Sequence, residues 1–424
     1  MNFILLYKGH YGAALRGPEM RYAALAQELI KKGHSVTLSV CSDDRSNIPS
    51  GVGFVPVFNI PRLIKSLFSS DVVVLHGGGP IILLLVIISS LLGKHIVLDG
   101  YAPRWIELDK IARSKKDTSQ VKLLTKAYFN VMRGFLGTLM FNLIIVANKR
   151  QQDMFRGMMA QFTLTQNFPR VVTIPFGCSE QVSLAKEMGR KNLAKFSNSS
   201  FSNDDFLIGW LGGAYSWFDL EGVVTEVANA MIKNNKIKII FFGVNEQRQI
   251  KLLSCVDASV KENIIFLPWI NFEQRFDYWC GFDISLVWGE KDYENDYASR
   301  TRNFDCLTLS LPIIQNYDDE WGPRLQQSGA GIVTCKPQLA DTIFDISKDP
   351  DMVKNMSLSM RAIAPDFYWS RFTEKLISSI ETTPMSIGRK LIGLILFFMM
   401  MPAVFTSFIF SFLVLPFQKN HINE

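Results

Sequence analysis

Residues 3–40 read FILLYKGHYGAALRGPEMRYAALAQELIKKGHSVTLSV, and this stretch decides the fold. An apolar strand pattern over Phe3–Tyr7 is followed by a glycine-containing loop and by a helical pattern from Pro18 to Lys32. The next apolar strand is Ser35–Val40. A strand, a crossover helix and a second strand form the βαβ unit from which parallel sheets are built.

The same alternation continues in two series, and it predicts an α/β protein with two domains. Further strands of the first series are predicted at Val72–His76, Ile96–Asp99, Leu143–Ala147 and Val171–Pro175. Strands of the second series are predicted at Phe206–Leu211, Lys236–Phe242, Ile264–Pro268, Ile284–Val287 and Pro312–Gln315. The apolar run Pro80–Leu92 is too short to span a bilayer and is predicted to be a buried crossover helix.

A polar segment between the two series indicates where one domain ends and the next begins. We predict a first domain over residues 1–182, a linker at 183–205, a second domain over 206–365 and a closing helix at 366–381. Two doubly wound halves of this kind hold a ligand in the cleft between them, at the carboxyl ends of both sheets.

Composition excludes several kinds of protein. The net charge is only +6 over 424 residues, which does not favour binding to nucleic acid. The six cysteines are scattered and no histidine stands at ligand spacing, so neither a disulfide framework nor a metal site is expected. The apolar run at the N-terminus is too short for a signal peptide.

The segment Leu391–Pro416 contains no charged residue and follows Arg389 and Lys390. As a helix it would be about 39 Å long, which is enough to cross a hydrocarbon core of about 30 Å, with a kink expected at Pro402. We predict a single-pass anchor that holds the rest of the chain at the cytoplasmic face of the inner membrane. A buried helix of the folded protein is the alternative.

The segment 104–133 is basic, with eight Lys and Arg residues against three acidic ones, and aromatic and aliphatic residues are interleaved. Such a segment lies either on an anionic membrane surface or, as a solvated helix, on its own domain.

A second stretch carries chemistry. Arg300-Thr301-Arg302-Asn303-Phe304-Asp305-Cys306-Leu307 places two cations and a carboxylate on one short helix before a predicted strand. Arg302 and Asp305 are three residues apart and share a helical face. A guanidinium matches phosphate oxygens and a carboxylate accepts hydrogen bonds from a sugar diol, so the pattern suits a nucleotide sugar. A surface ion pair is the alternative.

Taken in order, these motifs resemble the retaining glycosyltransferases of family 4, from Met1 to about residue 380. The landmarks are Gly17-Pro18-Glu19-Met20-Arg21, Gly33-His34-Ser35-Val36-Thr37, Leu98-Asp99-Gly100-Tyr101-Ala102-Pro103, Ile174-Pro175-Phe176-Gly177, Leu211–Asp219 and the helix at Arg300. The resemblance implies the GT-B fold, in which two Rossmann-like domains face each other across a cleft and the second holds the nucleotide.

The resemblance also implies roles in the second domain. Asp305 stands where the family hydrogen-bonds the ribose, and Arg302 where it meets the diphosphate. Gly212 and Gly213 follow the first strand of this domain, where missing side chains let the backbone approach phosphates, and Tyr215 lies in the same loop.

In the first domain, His76 and Asp99 each end a predicted strand, which is where an open α/β sheet presents groups to a ligand. Either residue is a candidate to orient the acceptor hydroxyl or to act as its base. A turn histidine bonded to backbone and a loop-capping aspartate are the alternatives. Gly17 and Arg21 resemble the family's glycine-containing loop over the donor diphosphate.

The chain departs from the family pattern at Tyr297, where a glutamate usually stands eight positions before the residue equivalent to Asp305. The Arg and Lys that often follow the first strand of the second domain are also absent. We therefore expect Arg300 to share in the diphosphate contacts, and Asp296 or Glu294 to share in recognising donor hydroxyls.

The resemblance implies a retaining glycosyltransferase with a nucleoside diphosphate sugar as donor and no cofactor, and we expect it to be metal-independent because no Asp-x-Asp pair stands next to a strand end. The predicted anchor favours a membrane-associated acceptor, such as a lipid-linked glycan. Two alternatives are a nucleotide-sugar epimerase of similar fold, which needs no acceptor, and a non-catalytic scaffold of a polysaccharide assembly complex.

Overall fold

The structure is a computed structural model. It describes residues 1–7, 15, 17–41, 45, 48–76, 80–102, 104–113, 120, 123–125, 127, 140–160, 169–214, 218–316, 320–384, 388, 390–395, 397–399, 402 and 406. The chain divides into two compact units. Unit 1 comprises Met1–Pro175 and Ser370–Glu424, and unit 2 comprises Phe176–Trp369.

Within the described part of unit 1, seven strands form one parallel sheet in the order β3-β2-β1-β4-β5-β6-β7. The strands are β1 (Asn2–Tyr7), β2 (Ser35–Val40), β3 (Gly53–Pro56), β4 (Val72–His76), β5 (His95–Asp99), β6 (Leu143–Val146) and β7 (Arg170–Thr173). All residues of β4 and β5 are buried, as expected for strands covered on both faces. The strand order reverses between β1 and β4, so this sheet has its switch point where those two strands end, which is where open α/β sheets generally bind ligands.

Five helices of unit 1 connect these strands among the described residues. They are α1 (Gly17–Lys31), α2 (Ile60–Ser69), α3 (Pro80–Leu91), α4 (Arg104–Arg113) and α5 (Lys149–Ala160). Alternate residues of β1, β4, β5 and β6 pack against α2, α3 and α5 in one apolar cluster. The apolar helix α3 has the predicted bounds to within one residue, but it is not wholly buried, because Leu84 and Leu91 are exposed.

In unit 2 the described residues form a six-stranded parallel sheet in the order β10-β9-β8-β11-β12-β13. The strands are β8 (Phe206–Trp210), β9 (Ile237–Phe242), β10 (Ile264–Leu267), β11 (Ile284–Val287), β12 (Ile313–Gln315) and β13 (Gly331–Val333). Here the order reverses between β8 and β11, which places the switch point where these two strands end.

The helices of unit 2 in its described part range from five to fourteen residues. They are α6 (Lys186–Ser197), α7 (Leu220–Lys233), α8 (Glu246–Ser254), α9 (Arg275–Trp279), α10 (Tyr293–Tyr297), α11 (Arg302–Leu309), α12 (Trp321–Ser328), α13 (Lys336–Ser347) and α14 (Pro350–Ile363). Several begin with a side-chain cap, as at Asp219, whose carboxylate accepts a hydrogen bond from the Gly222 N–H at 3.0 Å.

The segment predicted to be a linker, residues 183–205, is helical over α6 and belongs to unit 2. Arg190 of this helix donates a hydrogen bond to Asp283 at 2.9 Å and further ones to backbone carbonyls at 202, 203 and 205. These bonds hold the segment in place through its arginine. The segment is therefore folded, although its polar composition resembles that of a flexible linker. The change of unit falls instead between Pro175 and Phe176.

The chain passes from unit 2 back to unit 1 at the start of helix α15 (Trp369–Glu381). This is the helix predicted at 366–381. Most of the predicted anchor at 391–416, and most of the basic segment 104–133 beyond Arg113, lies outside the described residues. Among the residues that are described, no helix has the length and apolar character needed to cross a membrane.

Candidate functional site

The switch point of unit 2 is marked by the turn that follows β8. The strand ends at Trp210, and the chain turns at Gly212, whose φ is +103°. A side chain is strained at this backbone angle, so the turn favours glycine. The atom nearest to a Cβ built on Gly212 is Nη2 of Arg302, at 3.9 Å. The turn and the predicted diphosphate-binding arginine are therefore neighbours.

Arg302 is the first residue of α11 and only 7% exposed. Its guanidinium lies 4.8 Å from the ring centre of Trp210 and 4.5 Å from that of Phe218. Nη2 also donates to the carbonyl of Gly213 at 3.4 Å. Stacking on two aromatic rings leaves the guanidinium little rotamer freedom. The cation is thereby held where β8 ends.

Arg300 and Glu294 were predicted as separate ligand contacts, and the structure joins them. Arg300 donates to both oxygens of Glu294, at 3.0 and 2.8 Å, and to Oδ1 of Asn295 at 2.8 Å. Both partners of the ion pair have side chains less than a tenth exposed. Arg300 also lies 5.0 Å from the ring of Phe218, so this one ring contacts two guanidinium groups. Tyr297 packs against Tyr293, with ring centres 4.7 Å apart.

Asp305 lies one turn along α11 from Arg302 and has a different partner. Its Oδ1 accepts hydrogen bonds from Nε and Nη2 of Arg275, at 3.1 and 2.9 Å. Arg275 is itself held between the rings of Phe272 and Phe276, at 3.7 and 3.9 Å. Burial raises the pKa of Asp305 above its ordinary value, and the charge of Arg275 opposes that rise.

Helix α11 is therefore not an exposed polar face. Every residue from Arg302 to Thr308 is buried, and Arg302 and Asp305 have separate partners, unlike a surface ion pair. Sequence reasoning did not find Arg275, which belongs to the site through Asp305. The signal available for it was an arginine with aromatic residues at Phe272 and Phe276, which is a stacking pattern.

Unit 1 brings three of the predicted residues together at its own sheet. Arg21 of α1 donates to both carboxylate oxygens of Asp99, at 2.8 and 3.2 Å. It also donates to the carbonyls of Ile174 and Pro175, at 3.0 and 2.7 Å. Arg21 is fully buried and Asp99 is 1% exposed. His76, at the end of β4, places Nδ1 2.9 Å from the carbonyl oxygen of Asp99.

Aromatic residues enclose this group. The ring of Tyr101 lies 5.0 Å from that of His76 and 4.9 Å from the guanidinium of Arg21. The ring of Tyr22 is 6.4 Å from that of His76. Burial, followed by the charge of Asp99, raises the pKa of both tyrosines well above the ordinary value, so both phenols stay neutral.

No family model matches this chain, and no curated protein matches it. Solved structures do. WaaG, a glycosyltransferase involved in lipopolysaccharide biosynthesis, is 14% identical with a TM-score of 0.66, over 90% of this chain and 100% of that one. The pneumococcal O-GlcNAc transferase GtfA, solved with UDP and GlcNAc, is 12% identical with a TM-score of 0.64, over 90% and 99%.

A third match is HepE of Anabaena, solved with UDP and glucose, which is 11% identical with a TM-score of 0.63, over 90% of this chain and 100% of that one. The chain has the fold of GT-B glycosyltransferases. The predicted α/β class with two parallel sheets is thereby confirmed. At this level of identity the likeness concerns the fold alone.

The remaining predicted residues are placed as follows. Gly17 opens α1, four residues before Arg21. Tyr215 lies outside the described residues. Within the described part of the chain, no three His, Cys, Asp or Glu side chains are grouped so that they could hold a metal ion.

Proposed function

We propose that the protein transfers a sugar, with retention of configuration and without a metal ion, from a nucleoside diphosphate sugar to a membrane-associated acceptor. The observation that carries the proposal is Arg302, held on Trp210 and Phe218 beside the Gly212 turn at the switch point of unit 2. An anion at a switch point needs positive charge and close backbone approach, and this position supplies both.

The diphosphate binds where the Gly212–Gly213 backbone meets the guanidinium of Arg302. Since the guanidinium is already fixed by stacking, it needs little reorganisation as charge develops on the leaving diphosphate. Arg302 and backbone N–H groups then take the part that a divalent cation plays in other transferases. Arg300 is neutralised by Glu294, so its contribution to the diphosphate is secondary.

The ribose binds at Asp305. Both hydrogen bonds from Arg275 fall on Oδ1, and Oδ2 accepts none from the described residues. A carboxylate oriented by an arginine through one oxygen can accept a ribose hydroxyl through the other.

The acceptor hydroxyl is activated or oriented by His76 rather than by Asp99. Both oxygens of Asp99 are engaged by Arg21, so its task is to hold that arginine in place. When Nδ1 of His76 donates to the carbonyl of Asp99, Nε2 carries the lone pair, which is the tautomer a base requires. No covalent nucleophile is assigned.

A lipid-linked glycan at the cytoplasmic face of the inner membrane is the proposed acceptor. The uncharged segment 391–416 supports this as a tether, because it raises the enzyme's concentration at the bilayer. WaaG, which shares the fold, is a glycosyltransferase involved in lipopolysaccharide biosynthesis.

The proposal is tested with a panel of nucleoside diphosphate sugars, in which hydrolysis and transfer to a membrane extract are measured with and without EDTA. UDP-sugars are the first donors to test, because HepE and GtfA are solved with UDP. We expect turnover that EDTA does not reduce. Arg302→Ala should lower it at least 100-fold, as for removal of one fixed oxyanion donor.

Arg324→Ala is the matched control, since Arg324 is an arginine of the same unit stacked on another ring, that of Phe367 at 5.0 Å. An equal loss in both variants would contradict the assignment of Arg302. Epimerisation of the free donor without an acceptor would favour an epimerase, and neither turnover nor nucleotide binding would favour a scaffold.

A further inference from the structure

The exposed large apolar side chains of unit 1 are confined to three segments. Among the described residues of that unit, all of them lie at the start and end of α2, on α3, or in the described part of segment 390–399. They are Phe58, Ile60, Phe68, Leu84, Leu91, Leu391, Ile392, Ile395, Phe398 and Met399. Scattered exposed apolar residues are ordinary, but a concentration on adjoining elements indicates a surface that binds something.

The three segments contribute residues to one apolar cluster on the same face of the sheet. Leu63 and Leu67 of α2, Leu85 and Val86 of α3, and Phe397 belong to one buried cluster, and Leu394 packs against it. Membership of one cluster places α2, α3 and segment 390–399 on the same side of the sheet.

Hydrogen bonds join the ends of the same segments. Lys390 donates to the carbonyl of Lys94, just after α3. Lys94 in turn donates to the carbonyls of Phe68 and Ser70, at 2.8 and 2.7 Å, where α2 ends. The exposed Phe68 and Leu91 therefore border the same junction as the start of the C-terminal helix. We call this surface, made by the outer sides of α2, α3 and segment 390–399, the α2–α3 face.

The C-terminal segment is apolar on its outer side as well as on its inner side. Leu394 and Phe397 point into unit 1, whereas Leu391, Ile395 and Phe398 remain exposed. A helix that is apolar all round has apolar surroundings on every side. Unit 1 supplies these surroundings on one side only.

We propose that the α2–α3 face of unit 1 rests on an anionic bilayer, with segment 390–399 lying along the membrane surface between unit 1 and the lipid. The uncharged run of the sequence starts on this face and continues to Pro416, so the most apolar part of the chain leaves from it. Helix α2 also carries the exposed cations Arg62 and Lys65 and no acidic residue, which suits anionic headgroups. The proposal adds a contact made by the folded unit itself to the proposed tether, and it does not depend on sugar transfer.

The test is hydroxyl-radical footprinting of the full chain bound to vesicles of phosphatidylethanolamine and phosphatidylglycerol in a 7:3 ratio. Leu91 is compared with Leu358 of unit 2, because they are the same residue type and are similarly exposed, at 67% and 56%. On vesicles we expect Leu91 to be oxidised at least fivefold more slowly than Leu358. In lipid-free protein the two rates should be similar.

Each other outcome overturns the proposal. Equal rates on vesicles would mean that the tether holds a unit whose α2–α3 face stays in water, and failure to bind the vesicles would remove the membrane altogether. Protection of Leu91 without lipid would indicate that the rest of the C-terminal segment covers the face. Protection that depends on protein concentration would indicate a second copy of the chain.

A pair of variants gives an independent measurement. Phe68→Glu combined with Leu91→Glu should lower the bound fraction at least threefold on the same vesicles, and the loss should become smaller as salt is raised, because salt screens the repulsion between the added carboxylates and the anionic headgroups. Leu358→Glu is the matched control and should bind like the wild type. Equal binding by both variants would contradict a contact at the α2–α3 face.

Discussion

Two Arg–Asp pairs, the fully buried Arg21–Asp99 in unit 1 and the largely buried Arg275–Asp305 in unit 2, are built differently. In the first, the guanidinium engages both carboxylate oxygens and two backbone carbonyls as well. In the second, both hydrogen bonds fall on one oxygen. A carboxylate whose two oxygens both accept hydrogen bonds from an arginine stabilises the fold. A carboxylate bonded through a single oxygen is oriented by the arginine and can still accept a hydrogen bond from a ligand.

The largest effect that this comparison predicts is on stability. Arg21→Ala leaves Asp99 buried without its counter-charge, and breaking a buried pair in this way costs about 3 to 5 kcal/mol. The free energy of unfolding, measured with denaturant, should fall by that amount. Lys149→Ala, in the exposed pair with Asp153 of the same unit, should cost less than about 1 kcal/mol. If Arg21→Ala lowered the free energy of unfolding as little as Lys149→Ala does, the Arg21–Asp99 pair would not be what stabilises unit 1.

The second pair is tested by ligand affinity. Asp305→Asn keeps the shape of the side chain but removes the charge, and it should weaken nucleoside diphosphate binding by about 1.5 to 3 kcal/mol, or about 10- to 150-fold. Titration calorimetry measures the change. Asp341→Asn, in an exposed pair with Lys233 of the same unit, is the control and should bind normally. An unchanged dissociation constant for Asp305→Asn would refute the ribose role.

The raised pKa of Asp305 gives the comparison a pH dependence. A carboxyl whose folded-state pKa lies above its unfolded value contributes stability below the unfolded pKa, and this stability is lost as the pH rises through the folded pKa. Nucleotide binding should change in the opposite direction, because the ionised carboxylate is the better acceptor. The dissociation constant should improve by at most about tenfold per pH unit across that window.

Calorimetry and denaturation at a series of pH values check both trends. In Asp305→Asn both should be flat over the same window, because the titrating group is gone. If the wild-type affinity did not change with pH while the Asp305→Asn variant still bound weakly, the loss of affinity in the variant would not be due to the charge of Asp305.

The strands were predictable from the sequence because most are buried on both faces and read as short apolar runs. The two that were not predicted are β3 and β13, and both lie at sheet edges. They are only four and three residues long and begin at Gly53 and Gly331. Their pairing depends on one neighbouring strand, which a local sequence pattern does not reveal.

For the candidate site, the sequence offered residues but not their partners. Gly212 and Arg302 could be proposed because a turn after a strand and an arginine opening a helix are local patterns, and the structure brings the two together. The pairing of Arg21 with Asp99 joins residues 78 positions apart, and that of Arg275 with Asp305 joins residues 30 positions apart. Partners at such separations are decided by how the elements pack, so the sequence offered Asp99 and Asp305 as candidate ligand contacts without showing that each is paired with an arginine.

The smallest predicted effect concerns how closely a ligand can approach the backbone turn at Gly212 in unit 2. Gly212→Ala adds a methyl group where φ is +103° and where the nearest atom, Nη2 of Arg302, is 3.9 Å away. Gly93→Ala, in unit 1, adds one where φ is +67° and no atom lies within 4 Å. Because both changes meet backbone strain and little steric conflict, each should reduce the free energy of unfolding by about 1 kcal/mol.

Only Gly212→Ala should also affect ligand binding, because its methyl group would stand between the turn and Arg302, where the diphosphate is proposed to bind. We expect it to weaken nucleotide affinity several-fold, while Gly93→Ala binds as the wild type does. If the two variants lost stability equally and neither lost affinity, the ligand would not approach the backbone at this turn. The diphosphate would then have to be held by side chains alone. The two units would no longer differ in how accessible the carboxyl ends of their strands are to a ligand.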